Sequence, residues 1–401
     1  MSMEGWSWGD LNASEHVQSA YGMASSELEK CTINVSDLGA FQDKNFLIIC
    51  GHTITKSDLD HSQSPRMESE EERQPVRKFV LKVFHPDPCS SERRLRALGQ
   101  LLDGASQRGV VCSRAVKSVD GSCVTKIPVT RRRGVDGGMP LASPSSEHCN
   151  AMLLEYVDGI SIDTCSNPRC VHLMEDVGNW CGALQAYFQT LSQDIVDGIQ
   201  SAGLVDWNPT DVLTIRQYLE HLDLSTERQR ICSDVLQEYE MMAVPLIEKN
   251  EIRRGVIHGD LSDSNILTCN DDDDGSCPQN RVCGLIDFTD CNFSYIVFEL
   301  AICAGFFVVD TADPVSVSTA IVHGFLDVVP LLPKEKSIVY TLMCAHMAQV
   351  AVLSARQLLS DPGNLHVGDI IDPTFAALAT VRGVGKQVFE SAWWSDEKSQ
   401  V

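Results

Sequence analysis

A chain of 401 residues, 43% hydrophobic and 22% charged, has the composition of an ordinary globular protein and the length for two domains or one two-lobed unit. Its formal net charge of -23 repels polyanions, which argues against sequence-independent nucleic-acid binding and against docking on an anionic membrane. A phosphate-bearing ligand must therefore be held by a local positive site and a metal ion, against the field of the whole molecule.

In chain order, the first forty residues hold one helix, over 12–23, with Val17, Ala20 and Tyr21 at helical spacing. The period then changes. Segments 45–50 (NFLIIC) and 77–84 (RKFVLKVF) read as strands, the second alternating Phe79, Leu81 and Val83 against Val80, Lys82 and Phe84. Between them 53–75 is polar and acid-rich, an expanded hairpin loop. A helix over 90–102, strand-like pieces near Val110 and Cys123, a Gly/Ser/Pro-rich loop over 130–150 and a buried strand over 151–157 follow. After Gly159 the helical period takes over. Residues 178–190 set Trp180, Leu184, Tyr187 and Phe188 on one face; 211–222 and 225–250 are further helices, the last broken or kinked at Pro245. Apolar helical runs resume from Val297, so a β-rich part over 1–157 precedes a helical part over 158–401.

The N-terminus lacks the basic start and apolar run of a secretory signal. The apolar stretch 297–309 contains Glu299 and is too short to span a bilayer. The sixteen cysteines form no C-x-x-C pair, and Cys165 with Cys170 has no matching ligand pair. They read as reduced thiols, several packing as small hydrophobes, and the cytoplasm is the expected compartment.

The chemistry concentrates in 256–267 (VIHGDLSDSNIL) and 282–290 (VCGLIDFTD), where two short apolar strands flank a polar acidic turn and deliver polar groups to one spot. Phosphoryl transfer needs a carboxylate to orient and deprotonate the acceptor hydroxyl, oxygen ligands for Mg²⁺ and positive charge on the nucleotide phosphates. Mg²⁺ takes hard oxygen ligands, commonly one or two carboxylates plus phosphates and water. Asp260, Asn265 and Asp287 offer that set. His-Gly-Asp alone is an ordinary turn; the three together, with the intervening strand, are a signature.

The pattern H-G-D-L-x-D-x-N followed by L-I-D-F resembles the aminoglycoside phosphotransferase family, a branch of the protein-kinase-like fold. The blocks FQDKNF (41–46), FVLK (79–82), the catalytic loop and IDFTDCNFSYIVFELAI (286–302) are similar to hydroxylysine kinases. The resemblance covers nearly the whole chain, though only these blocks are specific, and Thr289 stands where kinases often carry Gly. It implies an α+β, protein-kinase-like bilobal fold: a small β-rich nucleotide-binding lobe over 1–157 with an N-terminal helix, then a larger helical catalytic and substrate-binding lobe over 158–401. It implies Asp260 as catalytic base, Asn265 and Asp287 as Mg²⁺ ligands and Lys82 as the partner of the nucleotide phosphates. Glu92 is the nearest glutamate to pair with Lys82.

There is no G-x-G-x-x-G loop. A turn over 38–46, including Asn45, takes its place with backbone N–H groups. Glu155, Tyr156 and Val157 would form the hinge for the purine. Main-chain contacts dominate there, so the residues leave GTP or ATP open, and the resemblance implies GTP. It also implies 5-hydroxylysine as acceptor, with Asp263, Asp290 and Glu299 as acids around its amines. Another hydroxylated amine (an aminoglycoside, choline, ethanolamine, homoserine or a fructosamine) and an inactive kinase-like binding module remain alternatives, the latter opposed by the intact trio. The expected partners are a small-molecule substrate and a nucleotide, with neither nucleic acid nor membrane.

Other features have plainer readings. Asp271 to Asp274 lack the alternating ligands and terminal Glu of a calcium loop and read as a solvated turn, as do Arg131 to Arg133. His258 reads as a support of the loop backbone.

Overall fold

The computed structural model describes residues 6–7, 12–22, 31–37, 43–52, 77–86, 90–131, 146–165, 167–201, 207–269, 281–360 and 362–395. The chain forms two compact units, Met1–Asp103 with Ser113–Tyr156 and Gly104–Cys112 with Val157–Val401. The acid-rich 53–75 stretch, Arg132 and Arg133, the 38–42 part of the phosphate turn and the 271–274 run lie outside the described residues.

The first unit is built on β1 (Trp6–Ser7), α1 (Ala13–Tyr21), β2 (Cys31–Asp37), β3 (Lys44–His52), β4 (Arg77–Val83), most of α2 (Glu92–Gln107), β5 (Thr125–Arg131) and β6 (Ser146–Glu155). Its six strands pair in the order β1-β5-β6-β4-β3-β2, every pairing antiparallel. The alternation in β4 decides which face is covered. Phe79, Leu81 and Val83 join Ile48, Ile127, Val129, Cys149, Ala151 and Leu153 in one core, on which α1 lays Ala13, Val17 and Tyr21. Helix α1 starts where the Asn12 side chain accepts the Glu15 N–H and stops at Gly22 in the left-handed region. The Tyr21 hydroxyl accepts the Leu153 N–H at 3.1 Å, tying helix to sheet. Lys82 is thereby left on the opposite side of β4 from this core.

The second unit contains β7 (Ile160–Ser161), α3 (Val171–Phe188), α4 (Gln193–Gln200), α5 (Arg216–Leu219), α6 (Thr226–Met242), α7 (Val244–Glu248), β8 (Arg254–Ile257), β9 (Ile266–Thr268), β10 (Val282–Leu285), β11 (Asn292–Tyr295), α8 (Ile296–Phe307), α9 (Pro314–Val328), α10 (Pro333–Lys336), α11 (Val339–Ser360), α12 (Leu365–Val384) and α13 (Lys386–Trp393). Helices α3 and α9 meet backbone to backbone: a Cβ on Gly178 would overlap the Ile321 carbonyl oxygen, and one on Gly324 that of Glu175. Two short ribbons carry the polar loops. β8 pairs with β11, and β9 lies between β10 and β7. Helix α8 is apolar on all sides and buried, which suits a central helix and makes its one acid conspicuous.

Several boundaries differ from the sequence reading. Strand β6 begins at Ser146, so the 130–150 loop is shorter than its composition suggests; the β5 ladder sustains pairing through polar residues. The 211–222 segment is a 3₁₀ turn over Pro209–Ile215 followed by the four residues of α5. The expected break at Pro245 separates α6 from α7, with the proline in the first turn, where its missing N–H costs nothing. Helix α11 is long and apolar enough to cross a membrane, yet 72% of that window is buried inside the protein, as in a core helix. Twelve described cysteines are free thiols, whereas Cys269 is disulfide-bonded, which corrects the uniformly reduced reading.

Candidate active site

The second unit assembles the loop from His258 to Asn265, the 286–290 segment and Glu299. Strand β8 delivers His258, which is fully buried. The Asp260 N–H donates to His258 Nδ1 at 3.3 Å, so Nε2 carries the proton and donates to the Ile286 carbonyl at 3.1 Å. The ring also lies against Phe288, centroids 4.5 Å apart. A turn follows, in which the Asn265 N–H donates to the Ser262 carbonyl, and the Asn265 carbonyl accepts the Ile286 N–H at 2.9 Å. Ile286 is thus pinned at both ends by the loop, and the next residue is Asp287. Gly259 makes the close approach possible: its φ is +82°, and a Cβ there would sit 2.9 Å from Asn292 Nδ2 and from the Asp290 carbonyl oxygen.

Asn265 Nδ2 donates to Asp260 Oδ2 at 2.6 Å and to the Asp260 carbonyl at 3.0 Å. This fixes the Asp260 carboxylate and turns the Asn265 amide oxygen the other way. Asp287 is in the left-handed region (φ 56°) and caps the turn after it, accepting from Thr289 N–H at 3.3 Å and from the Thr289 hydroxyl at 2.5 Å. Thr289 thereby gains a contact to the carboxylate that glycine lacks. Among the described residues no group of three or more His, Cys, Asp or Glu is arranged to hold a metal. An amide oxygen and one carboxylate instead fit a hard cation such as Mg²⁺, which completes its shell with phosphate and water.

Glu299 is placed differently from the sequence expectation. It is fully buried, and its carboxylate accepts from the His258 N–H at 2.5 Å and the Gly259 N–H at 3.2 Å. That position makes the backbone of the His258–Asp260 loop its neighbour. Burial pushes its carboxyl up to about 7 from 4.5, against the two backbone N–H groups, which pull it down. The unfolded chain ionises first, so between these values the folded protein holds the extra proton. The stability Glu299 contributes is then present below 4.5 and lost as pH rises through about 7, a change of roughly 3 kcal/mol at most. Glu299→Gln does not titrate. The stability advantage of wild type over Glu299→Gln should therefore shrink between about pH 5 and pH 8, as followed by denaturant unfolding. A difference that stays constant with pH contradicts this.

The Asp290 carbonyl accepts from Asn292 Nδ2 at 2.8 Å, beside Gly259. Asp263 pairs with Arg169, whose Nη2 lies 2.7 Å from Oδ2.

In the first unit, Lys82 is 6% exposed and its Nζ lies 3.5 Å from Asp43 Oδ2. The other Asp43 oxygen accepts the His85 N–H at 2.9 Å. Asn45 is the direct cross-strand partner of Lys82, and its buried Oδ1 has no hydrogen-bond partner among the described residues. Glu92 is engaged elsewhere: its carboxylate is held by Arg96 at 2.7 Å and Lys126 at 3.8 Å, so the lysine–glutamate pairing expected from the next helix is replaced by Lys82–Asp43. The Glu155 side chain is clamped by Arg114 through two 2.8 Å bonds, which lower its carboxyl below the usual range. Its N–H donates to the Arg114 carbonyl. Val157, in the second unit, packs against Gly284. Asp43 and Arg169 are the residues the sequence reading passed over. Asp43 lay inside the quoted 41–46 block, where only register could single it out; Arg169 lies in no motif.

The model of the phosphotransferase enzyme family (APH) matches residues 67–334. The hydroxylysine kinase of Xenopus laevis is 32% identical over 197 residues, spanning 49% of this chain and about half (52%) of that protein. The hydroxylysine kinase of Bos taurus is 26% identical over 394 residues, 98% of this chain and 94% of that one. Among solved structures, an amicoumacin kinase in complex with AMP-PNP and Ca²⁺ aligns with a TM-score of 0.57 at 12% identity, covering 91% of each chain. A microcompartment-associated aminopropanol kinase aligns at 0.55 and 15% identity, covering 94% of this chain and 98% of that one. These likenesses show the α+β, protein-kinase-like bilobal fold. This chain, with its His-Gly-Asp loop tied to Ile286 and Asp287, belongs to the phosphotransferase enzyme family.

Proposed function

We propose that this small-molecule phosphotransferase moves the γ-phosphoryl group of GTP or ATP to the hydroxyl of 5-hydroxy-L-lysine. The observation that carries the chemistry is the Asp260 carboxylate held by Asn265 in a loop pinned to the residue before Asp287. The acceptor rests on the relative from Bos taurus, similar over nearly the whole chain. The acceptor oxygen attacks the γ-phosphorus while the Asp260 carboxylate takes its proton. The bond from that phosphorus to the bridging oxygen breaks, and the nucleoside diphosphate leaves with the electron pair. Mg²⁺, held by Asn265 and Asp287, would neutralise charge on the phosphates. Lys82 and the backbone N–H groups of the turn that includes Asn45 would meet the nucleotide phosphates, and the backbone of Glu155 and Val157 the purine.

The test is transfer of labelled γ-phosphate from GTP and from ATP to a panel of 5-hydroxy-L-lysine, L-lysine, choline, ethanolamine, homoserine and kanamycin. Transfer to hydroxylysine and none to lysine is expected. Strong transfer to choline or kanamycin, with none to hydroxylysine, would overturn the acceptor and leave the phosphotransferase.

A further inference from the structure

The segment between β7 and α3 meets the catalytic loop at a charge pair that phosphoryl transfer itself does not use. Arg169 Nη2 donates to Asp263 Oδ2 at 2.7 Å, with side chains 13% and 28% exposed. The guanidinium lies over the Phe307 ring, 4.9 Å from its centroid. Its Nε reaches the Val309 carbonyl and its Nη1 the Pro168 carbonyl, both at 3.4 Å. These contacts fix the plane of the guanidinium but occupy three of its five N–H groups. On the loop side, the Asp263 carbonyl accepts the Asp163 N–H at 3.3 Å. The Asp163 carboxylate in turn receives the Ser161 hydroxyl, which brings a second acid to the same segment.

An exposed Arg–Asp pair contributes little to stability. This one is packed on an aromatic ring, in a chain with 55 acids against 32 bases, three residues beyond the catalytic aspartate. That spacing keeps the Cα atoms of Asp260 and Asp263 within about 10 Å. In 5-hydroxylysine the hydroxyl-bearing carbon and the α-carbon are three bonds apart. One molecule can therefore present its hydroxyl to Asp260 and its amino-acid end to the pair.

We infer that Arg169 and Asp263 recognise the α-amino-acid end of the acceptor, Arg169 taking the α-carboxylate and Asp263 the α-ammonium. The inference rests on the hydroxylysine reading above. A zwitterion offers adjacent opposite charges, and a preformed Arg–Asp pair complements both at once through charge-assisted bonds. Choline, ethanolamine and other amino alcohols have no anion for Arg169, so the pair selects amino acids over amines. Arg169 is then a specificity residue that leaves the transferring atoms untouched.

The experiment compares 5-hydroxy-L-lysine with its decarboxylated analogue, 1,5-diaminopentan-2-ol, in wild type, Arg169→Gln and Arg169→Lys. Wild type should prefer the amino acid. Arg169→Gln should lower kcat/KM for hydroxylysine by about 10- to 100-fold, mainly through KM, with a much smaller effect on the diamino alcohol. Arg169→Lys should keep part of the preference. Equal losses on both substrates would show that Arg169 only tethers the loop and would overturn the inference. A wild type that uses both substrates equally well would overturn carboxylate recognition while leaving the phosphotransferase reading. Use of neither would overturn the acceptor assignment and this inference with it.

Discussion

Asp260→Asn should lower kcat by about 10²- to 10⁴-fold while unfolding close to the wild-type temperature. The substitution removes a proton acceptor and keeps the shape of the side chain. Asn265 Nδ2 donates to Asp260 Oδ2 at 2.6 Å, and an amide oxygen can accept the same bond. The backbone N–H of residue 260 keeps its bond to His258 Nδ1, so the histidine keeps its tautomer and its grip on Ile286. Asp260→Ala is the less informative change, since it also removes one of the two acceptors of the Asn265 amide. The KM for nucleotide should stay near the wild-type value in Asp260→Asn. Near-normal turnover in that variant would remove Asp260 from the reaction.

Asp287→Asn should cost about 10²-fold or more at ordinary Mg²⁺ concentration, with partial recovery as the metal is raised. Asparagine tolerates the left-handed backbone at φ 56° and can still accept from the Thr289 N–H and hydroxyl. The turn over Phe288–Asp290 should survive, and the loss can be assigned to the missing charge. Asp287→Ala would lose the cap and the tolerance of positive φ together, mixing two effects. Wild-type activity that persists in EDTA, or an unchanged metal requirement in Asp287→Asn, would contradict the assignment.

What the sequence made legible was local. The His-Gly-Asp loop could be read because Asp260 and Asn265 are five residues apart, and the hydrogen bond between them shows that proximity. The covered face of β4 could be read because a strand alternates with period two. Partners brought in from afar could not. Glu299 was evidently an acid that needed a partner in an apolar helix, but its partners are backbone N–H groups forty and forty-one residues away, which no side-chain pattern announces. The ion pair of Lys82 was sought on the following helix. Strand register sets it instead, bringing the start of β3 to the end of β4 and Asp43 with it. Arg169 lies 94 residues from Asp263 in a short Asn-Pro-Arg stretch without period or motif. Only the folded chain shows that it belongs to the loop.

Incubation of the protein with 5-hydroxy-L-lysine and γ-labelled GTP or ATP, followed by mass analysis of the acceptor, tests the central claim most directly. Label should appear as one phosphoryl group on the C5 oxygen with wild type, and fall by at least about 10²-fold with Asp260→Asn. No labelled hydroxylysine with wild type, or equal labelling by wild type and variant, would contradict the account.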